Sequence, residues 1–213
     1  MIIPTGLFPE GKKNSGKVMN RNYPENISAE EIKILDLKWF EGEIILVDTF
    51  AEFKRVIKIL KNSEILGFDT ETKPSFRKGR KNEVSLLQLA NEKVACLFRL
   101  NRIGLPDEMI DLLSDPGIVK SGVAIHDDIK FLMRIRRFTP GGFVDLQGFV
   151  KDFGIQSSGL RKLVAIILGF RISKSQQVTD WEALNLTEPQ KLYAATDAWV
   201  CYKIYRKLTG SYL

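Results

Sequence analysis

The chain has 213 residues, with 32 Lys and Arg against 26 Asp and Glu for a net charge of +6, and is 44% apolar. That length fits one domain with a sizeable core, and the positive balance suits a polyanionic partner. Its two cysteines, Cys96 and Cys201, lie far apart and support neither a disulfide framework nor a zinc site, and no apolar run reaches the roughly 18–20 residues that span a bilayer.

Residues 1–22 are rich in Gly, Pro and Lys and read as a flexible arm, so that 1–43 is expected to be an N-terminal extension, flexible in part. Met1-Ile2-Ile3-Pro4 has neither a basic segment nor a long apolar core, so no secretion signal is expected and the expected location is cytoplasmic, with no membrane partner. Ser28 and Glu31 have capping-box spacing and predict a short helix. A strand is predicted at 44–47 and an amphipathic helix from Phe50 to Leu60. Strands follow at 64–70, 84–90 and 93–99, then a helix from Asp107 to Leu113, a strand at 118–124 and a helix over about 127–137. Phe143 to Asp145 reads as a short strand, and Leu146–Phe153, Leu160–Leu168 and Glu188–Leu208 as helices. Contiguous strands followed by strands alternating with helices predict an α/β fold, a mixed five- to six-stranded sheet flanked by helices, over residues 44–213.

The chemistry concentrates in three segments. Gly67-Phe68-Asp69-Thr70-Glu71-Thr72 ends an apolar run with two carboxylates one residue apart. In a strand, positions i and i+2 share a face, about 6–7 Å apart. Two such acids are either solvated at an exposed strand end or brought together by a cation, and hard oxygen ligands suit Mg²⁺ or Mn²⁺. Tyr193 and Asp197 stand one turn apart on a predicted helix, which fits either a surface pair or a phenol beside a metal-binding carboxylate. Between them, Gly122-Val123-Ala124-Ile125-His126-Asp127-Asp128 leads a short strand into a helix, where an Asp also serves as an N-cap.

Asp-x-Glu, then an Asp entering a helix, then Tyr-x-x-x-Asp resembles the DEDD superfamily of 3′–5′ exonucleases in its tyrosine form. That branch includes ribonuclease D, the Werner-syndrome exonuclease domain and the proofreading domain of family A polymerases. The resemblance runs from Ile44 to Leu208, with further matches at Val84–Ala90 and at Thr179-Asp180-Trp181. The histidine form carries its His where this chain has Leu192, and the only histidine, His126, reads as a strand-to-helix junction residue. Helical periodicity does not separate Asp127 from Asp128; the choice of Asp128 rests on the resemblance.

The resemblance implies an RNase H-like fold with three antiparallel and two parallel strands, the acids meeting at one edge of the sheet. It implies two divalent cations, Mg²⁺ or Mn²⁺, held by Asp69, Glu71, Asp128 and Asp197, with Tyr193 completing the catalytic set. The implied partner is the 3′ end of DNA or RNA and the products are nucleoside 5′-monophosphates. Phe68, Thr70 and Thr72 flank the acids and are expected near the terminal nucleotide. Lys73, Phe76 and Arg77 belong to a cation-dense loop after the first motif, which is either a solvated loop or a phosphate track with Phe76 stacking on a base. Lys174 is a further candidate contact, while Trp181 reads as packing. The alternative is a nucleic-acid-binding module whose exonuclease fold is inactive.

Overall fold

The strands of this computed structural model, which describes residues 23–73 and 83–210, sort their side chains by twos. Six strands form one mixed sheet: β1 (Glu43–Val47), β2 (Ile65–Thr72), β3 (Val84–Ala90), β4 (Val94–Arg99), β5 (Val119–Gly122) and β6 (Phe143–Asp145). Their order is β1-β4-β3-β2-β5-β6. β2, β3 and β4 are antiparallel, β5 and β6 run parallel to β2, and β1 runs parallel to β4. The implied trio and parallel pair are present, and β1 adds a sixth strand.

Successive residues of a strand point to opposite faces, so each central strand feeds two cores. Leu66 and Phe68, Leu87 and Leu89, and Cys96 and Phe98 enter one of them. There they meet α2 (Phe50–Lys61), α4 (Asp107–Ser114) and α5 (His126–Ile135). Leu86, Ala90, Ala95 and Leu97 face the other way, onto Ala194, Ala195 and Ala198 of α8 (Glu188–Thr209). The far side of α8, with Val200, Ile204 and Leu208, packs on a third apolar cluster from the segment 146–172.

Local signals explain the element ends. Ser28 and Glu31 form the expected capping box on α1 (Ala29–Lys33), and Thr187 and Gln190 form another at the start of α8. The strand expected at 118–124 is shorter, because Ala124 adopts φ 59° and turns the chain before α5. The helix expected at 146–153 is one turn of α6 (Leu146–Phe149) followed by a 3-10 turn (Val150–Phe153). The helix expected at 160–168 is one turn, α7 (Leu160–Leu163), running into a π-helical turn (Val164–Leu168). The four-residue α3 (Leu100–Ile103), directly after β4, is too short for its period to show in the sequence.

One close approach positions the site. A Cβ added to Gly67 on β2 would stand 1.8 Å from the carbonyl oxygen of Ala198. Only glycine lets α8 lie this near β2. Gly67→Ala should therefore push α8 away, cost about 1–3 kcal/mol as an overpacking change, and remove most of the stabilisation that added Mn²⁺ confers. Urea melts with and without Mn²⁺ measure both; wild-type behaviour in both would show that the helix and strand have slack.

Candidate active site

Period two on β2 decides which groups meet. Residues 67, 69 and 71 point toward α8, so Asp69 and Glu71 face the helix that carries Asp197. Carboxylate oxygens of Asp69, Glu71 and Asp197 all lie within 4.8 Å of one another. Residues 68 and 70 point to the opposite side. Phe68 is fully buried there, its ring edge-on to Phe143 at 5.2 Å between centroids. Its side chain is therefore a core residue behind the acids. Thr70 donates its hydroxyl to Asp128 Oδ1 at 2.6 Å, so the second-motif acid is held from this other face.

Asp128 is half-buried and its charge acts on both Asp69 and Glu71. Asp127 is exposed and pairs with Lys130 at 3.4 Å. His126 opens α5 and is exposed. The turn that delivers Asp128 is held by Asp145, whose Oδ1 accepts from the Ala124 N–H at 3.1 Å and the Gln147 N–H at 2.9 Å. Asp145 lies outside the three motifs, and nothing in its sequence neighbourhood signals this service.

β2 is an interior strand with β3 and β5 beside it. The acids therefore gather at its C-terminal end rather than at a lateral edge of the sheet. Burial is the main electrostatic fact there. It pushes the Asp69 carboxyl well up, with the charges of Asp197 and Asp128 adding to the effect. Burial, then the neighbouring acids, raise Glu71 to about 9. Asp197 is also raised by burial, opposed by a hydrogen bond donated by the Tyr193 hydroxyl. The Tyr193 phenol is itself pushed up by burial and by the acids, so it stays protonated. Trp181, fully buried, backs the Tyr193 ring at 6.1 Å between centroids.

Three carboxylates this close are stable only with protons or cations among them. All the donors are hard oxygens, which suit a divalent ion of the Mg²⁺ or Mn²⁺ kind. The cluster opens into a cleft of about 900 Å³ that Lys174 also lines, with its side chain exposed. Lys73 makes ion pairs with Asp180 at 3.2 Å and Glu182 at 3.6 Å, so it ties the end of β2 to the Trp181 loop. Thr72 pairs with Val84 across a bulge in the ladder and is half-buried. Phe76 and Arg77 lie outside the described residues.

A profile of the 3′–5′ exonuclease family matches residues 44–211. The chain belongs to this family, in its tyrosine-type DEDD branch. It is 32% identical over 155 residues to the mouse bifunctional 3′–5′ exonuclease/ATP-dependent helicase WRN, a match covering 70% of this chain and 11% of that protein. It is also 32% identical over 186 residues to mouse exonuclease 3′–5′ domain-containing protein 2, covering 80% and 28%. The chain thus spans under a third of the length of either relative. Among solved structures, the Aedes aegypti Nibbler exonuclease domain aligns with TM-score 0.70 and 26% identity, over 84% of this chain and 94% of that one. Escherichia coli RNase D aligns with TM-score 0.70 and 25% identity, over 79% and 44%. The shared architecture is the RNase H-like fold. Among the described residues, no helix is long and apolar enough to cross a membrane.

The raised carboxyls have a consequence for stability. Glu71 holds its proton in the folded chain up to about 9 against an ordinary value of 4.5, so the folded state binds more protons than the unfolded state between those limits. Stability of the metal-free protein should then fall as pH rises through that window. Buried Lys120, whose ammonium is pushed down to about 8, acts in the opposite sense only above that pH. The melting temperature in EDTA should therefore decline from about pH 4.5 to about 8. Added Mn²⁺ should raise it more at the alkaline end, because metal binding displaces those protons. A flat profile in EDTA would mean that the acids are not confined as described.

Proposed function

We propose that this chain is a metal-dependent 3′–5′ exonuclease that removes nucleoside 5′-monophosphates from the 3′ end of a DNA or RNA strand by a two-metal-ion mechanism. The observation that carries the reading is the convergence of the Asp69, Glu71 and Asp197 oxygens within 4.8 Å, beside Asp128 and Tyr193. When bound, two divalent cations, Mg²⁺ or Mn²⁺, supply an acidified water and neutralise charge on the phosphate. Asp69, Glu71 and Asp197, with Asp128 beside them, would hold these ions.

The chain's own groups do the rest. Thr70 fixes the Asp128 carboxylate in place with a hydrogen bond of 2.6 Å. Tyr193 keeps its proton at any working pH, because burial and three nearby acids oppose the phenolate. It therefore orients the attacking water by hydrogen bonding and does not act as its base. Loss of one water-orienting group typically costs about 10²–10⁴-fold.

Strands labelled at the 5′ end and carrying a free 3′-hydroxyl should shorten as a ladder from the 3′ end in Mg²⁺ or Mn²⁺, and not at all in excess EDTA. Asp69→Asn and Asp197→Asn should abolish this by orders of magnitude while far-UV circular dichroism is unchanged. Labelled mononucleotide as the first product would reverse the polarity, internal cuts would make the enzyme an endonuclease, and an inert wild-type protein would leave a binding module.

Neighbouring acids should also rank. Asp128→Asn should be severe and Asp127→Asn mild, since only the former is held by Thr70 beside the cluster. Tyr193→Phe should lose activity by about 10²–10⁴-fold, less than Asp69→Asn, while Mn²⁺ binding by calorimetry stays close to wild type. A mild Asp128→Asn with a severe Asp127→Asn would shift the motif by one residue, and a fully active Tyr193→Phe would make the phenol structural.

A further inference from the structure

The profile match begins at residue 44, yet the cleft does not. Asn26, Ala29, Ile32 and Lys33 line it together with Asp69, Glu71 and Asp197. These four residues come from the segment before β1, which lies across the domain as a strap. Its docking is specific along its length. The Glu25 carbonyl accepts the backbone N–H groups of Gln156 and Ser157 at 2.9 and 3.1 Å. Asn26 accepts from the Ser157 hydroxyl at 3.0 Å, and Ile32 is buried. Further on, Leu37 forms a parallel bridge with Arg171, and the Arg171 Nε donates to the Leu35 carbonyl at 3.0 Å. The strap is thus ordered before any ligand arrives, and a contact made from it carries little ordering cost.

Four cations line this cleft among the described residues, Lys33, Arg161, Lys162 and Lys174; Lys33 is the one that the strap supplies. Lys33 closes the last turn of α1 with an exposed side chain that makes no hydrogen bond or ion pair among the described residues. Arg161, at the start of α7, has its Nε enclosed without a hydrogen-bond partner. That nitrogen is closed to the cleft, but Arg161 itself is half-buried and lines it, and its terminal guanidinium nitrogens are the donors that form charge-assisted bonds with a phosphate oxygen. The scissile phosphate is served at the acids, so these cations fall to another phosphate of the same strand.

We propose that the strap is a working wall of the nuclease cleft, and that Lys33 and Arg161 together bind a phosphodiester of the strand on the 5′ side of the scissile bond. This rests on the exonuclease reading above and deepens it: the substrate is gripped over more than its terminal nucleotide, partly by residues outside the family's common domain. The net favourable charge also offsets the repulsion that the acid cluster exerts on an approaching polyanion.

The test is binding in an Asp69→Asn background, which should hold a strand without cutting it. The probe is a short fluorescein-labelled single-stranded oligonucleotide, followed by anisotropy across a salt series. Lys33→Gln and Arg161→Gln should each weaken binding roughly tenfold at low salt, as loss of a charge-assisted contact does. Each should also lower the slope of log affinity against log salt by about 0.7, the signature of one fewer phosphate contact on a single strand. Lys33→Arg should restore binding, and Lys58→Gln on the distant α2 should change neither quantity. A nucleoside 5′-monophosphate, which has no upstream phosphate, should bind the Lys33→Gln and parent proteins alike.

If Lys33→Gln matches Lys58→Gln in affinity and slope, or if the mononucleotide weakens as much as the strand does, the inference is overturned. Those failures are separable from failure of the exonuclease reading. A wild-type protein that binds the strand through Lys33 but never shortens it would sink the activity and leave the subsite. One that shortens it while Lys33→Gln binds normally would sink the subsite alone.

Discussion

Helix α8 lies against β2 with only the hydrogens of Gly67 between them, and the site depends on that contact. With the Ala198 carbonyl 1.8 Å from where a Cβ would stand, the helix reaches a depth that no other residue at 67 allows. That depth brings Asp197, one residue before Ala198, among Asp69 and Glu71. It also buries Asp197 and leaves Asp69 and Glu71 half-buried at the floor of the cleft. The raised carboxyls follow from the packing and not from any unusual chemistry of the groups themselves. In the metal-free state the crowded carboxyls hold protons instead of charge, and a cation that binds them displaces those protons, so its affinity rises with pH.

β2 then uses both of its faces. Asp69 and Glu71 look toward α8, while Thr70 between them looks toward α5 and holds Asp128. The same alternation that makes Phe68 a core residue makes Thr70 the link to the second motif. A single strand therefore fixes the relative positions of groups about 130 residues apart in the chain, from Asp69 to Asp197, through nothing more than its period of two. Helices supply the remaining acids at their most constrained points: Asp128 in the first turn of α5, behind a turn held by Asp145, and Asp197 in the middle of α8.

Much of this was legible in the sequence, for definite reasons. The acids at 69 and 71 follow an apolar run, and such a run reads as a strand. Tyr193 and Asp197 share a helical face at any register. Asp128 was separated from Asp127 only by resemblance; in the structure the distinction is the 2.6 Å bond from Thr70 and the exposed Lys130 partner of Asp127. What stayed hidden were contacts between distant segments. Lys73 reads as a phosphate contact from its neighbours in sequence, but its partners are Asp180 and Glu182, more than a hundred residues on. Phe68 reads as a flank of the acids until the alternation of β2 is applied to it. Gly67 is visible as a glycine, yet nothing local says that a helix backbone presses on it.

The strap shows the same principle from the other direction. Its residues read as an extension because no motif falls in them, and the part described here is nonetheless built into the site's frame. The Phe40 N–H donates to the Thr196 hydroxyl at 3.1 Å, and that hydroxyl donates in turn to the Leu192 carbonyl at 2.6 Å. Thr196 sits directly before Asp197, and Leu192 directly before Tyr193. The strap is therefore fastened to the very turn of α8 that presents the phenol and the carboxylate, with the Phe40 ring buried against Trp199 on the same helix. A segment that holds the Tyr193–Asp197 turn at one end and lines the cleft with Lys33 at the other is part of the site's frame: moving it moves Asp197.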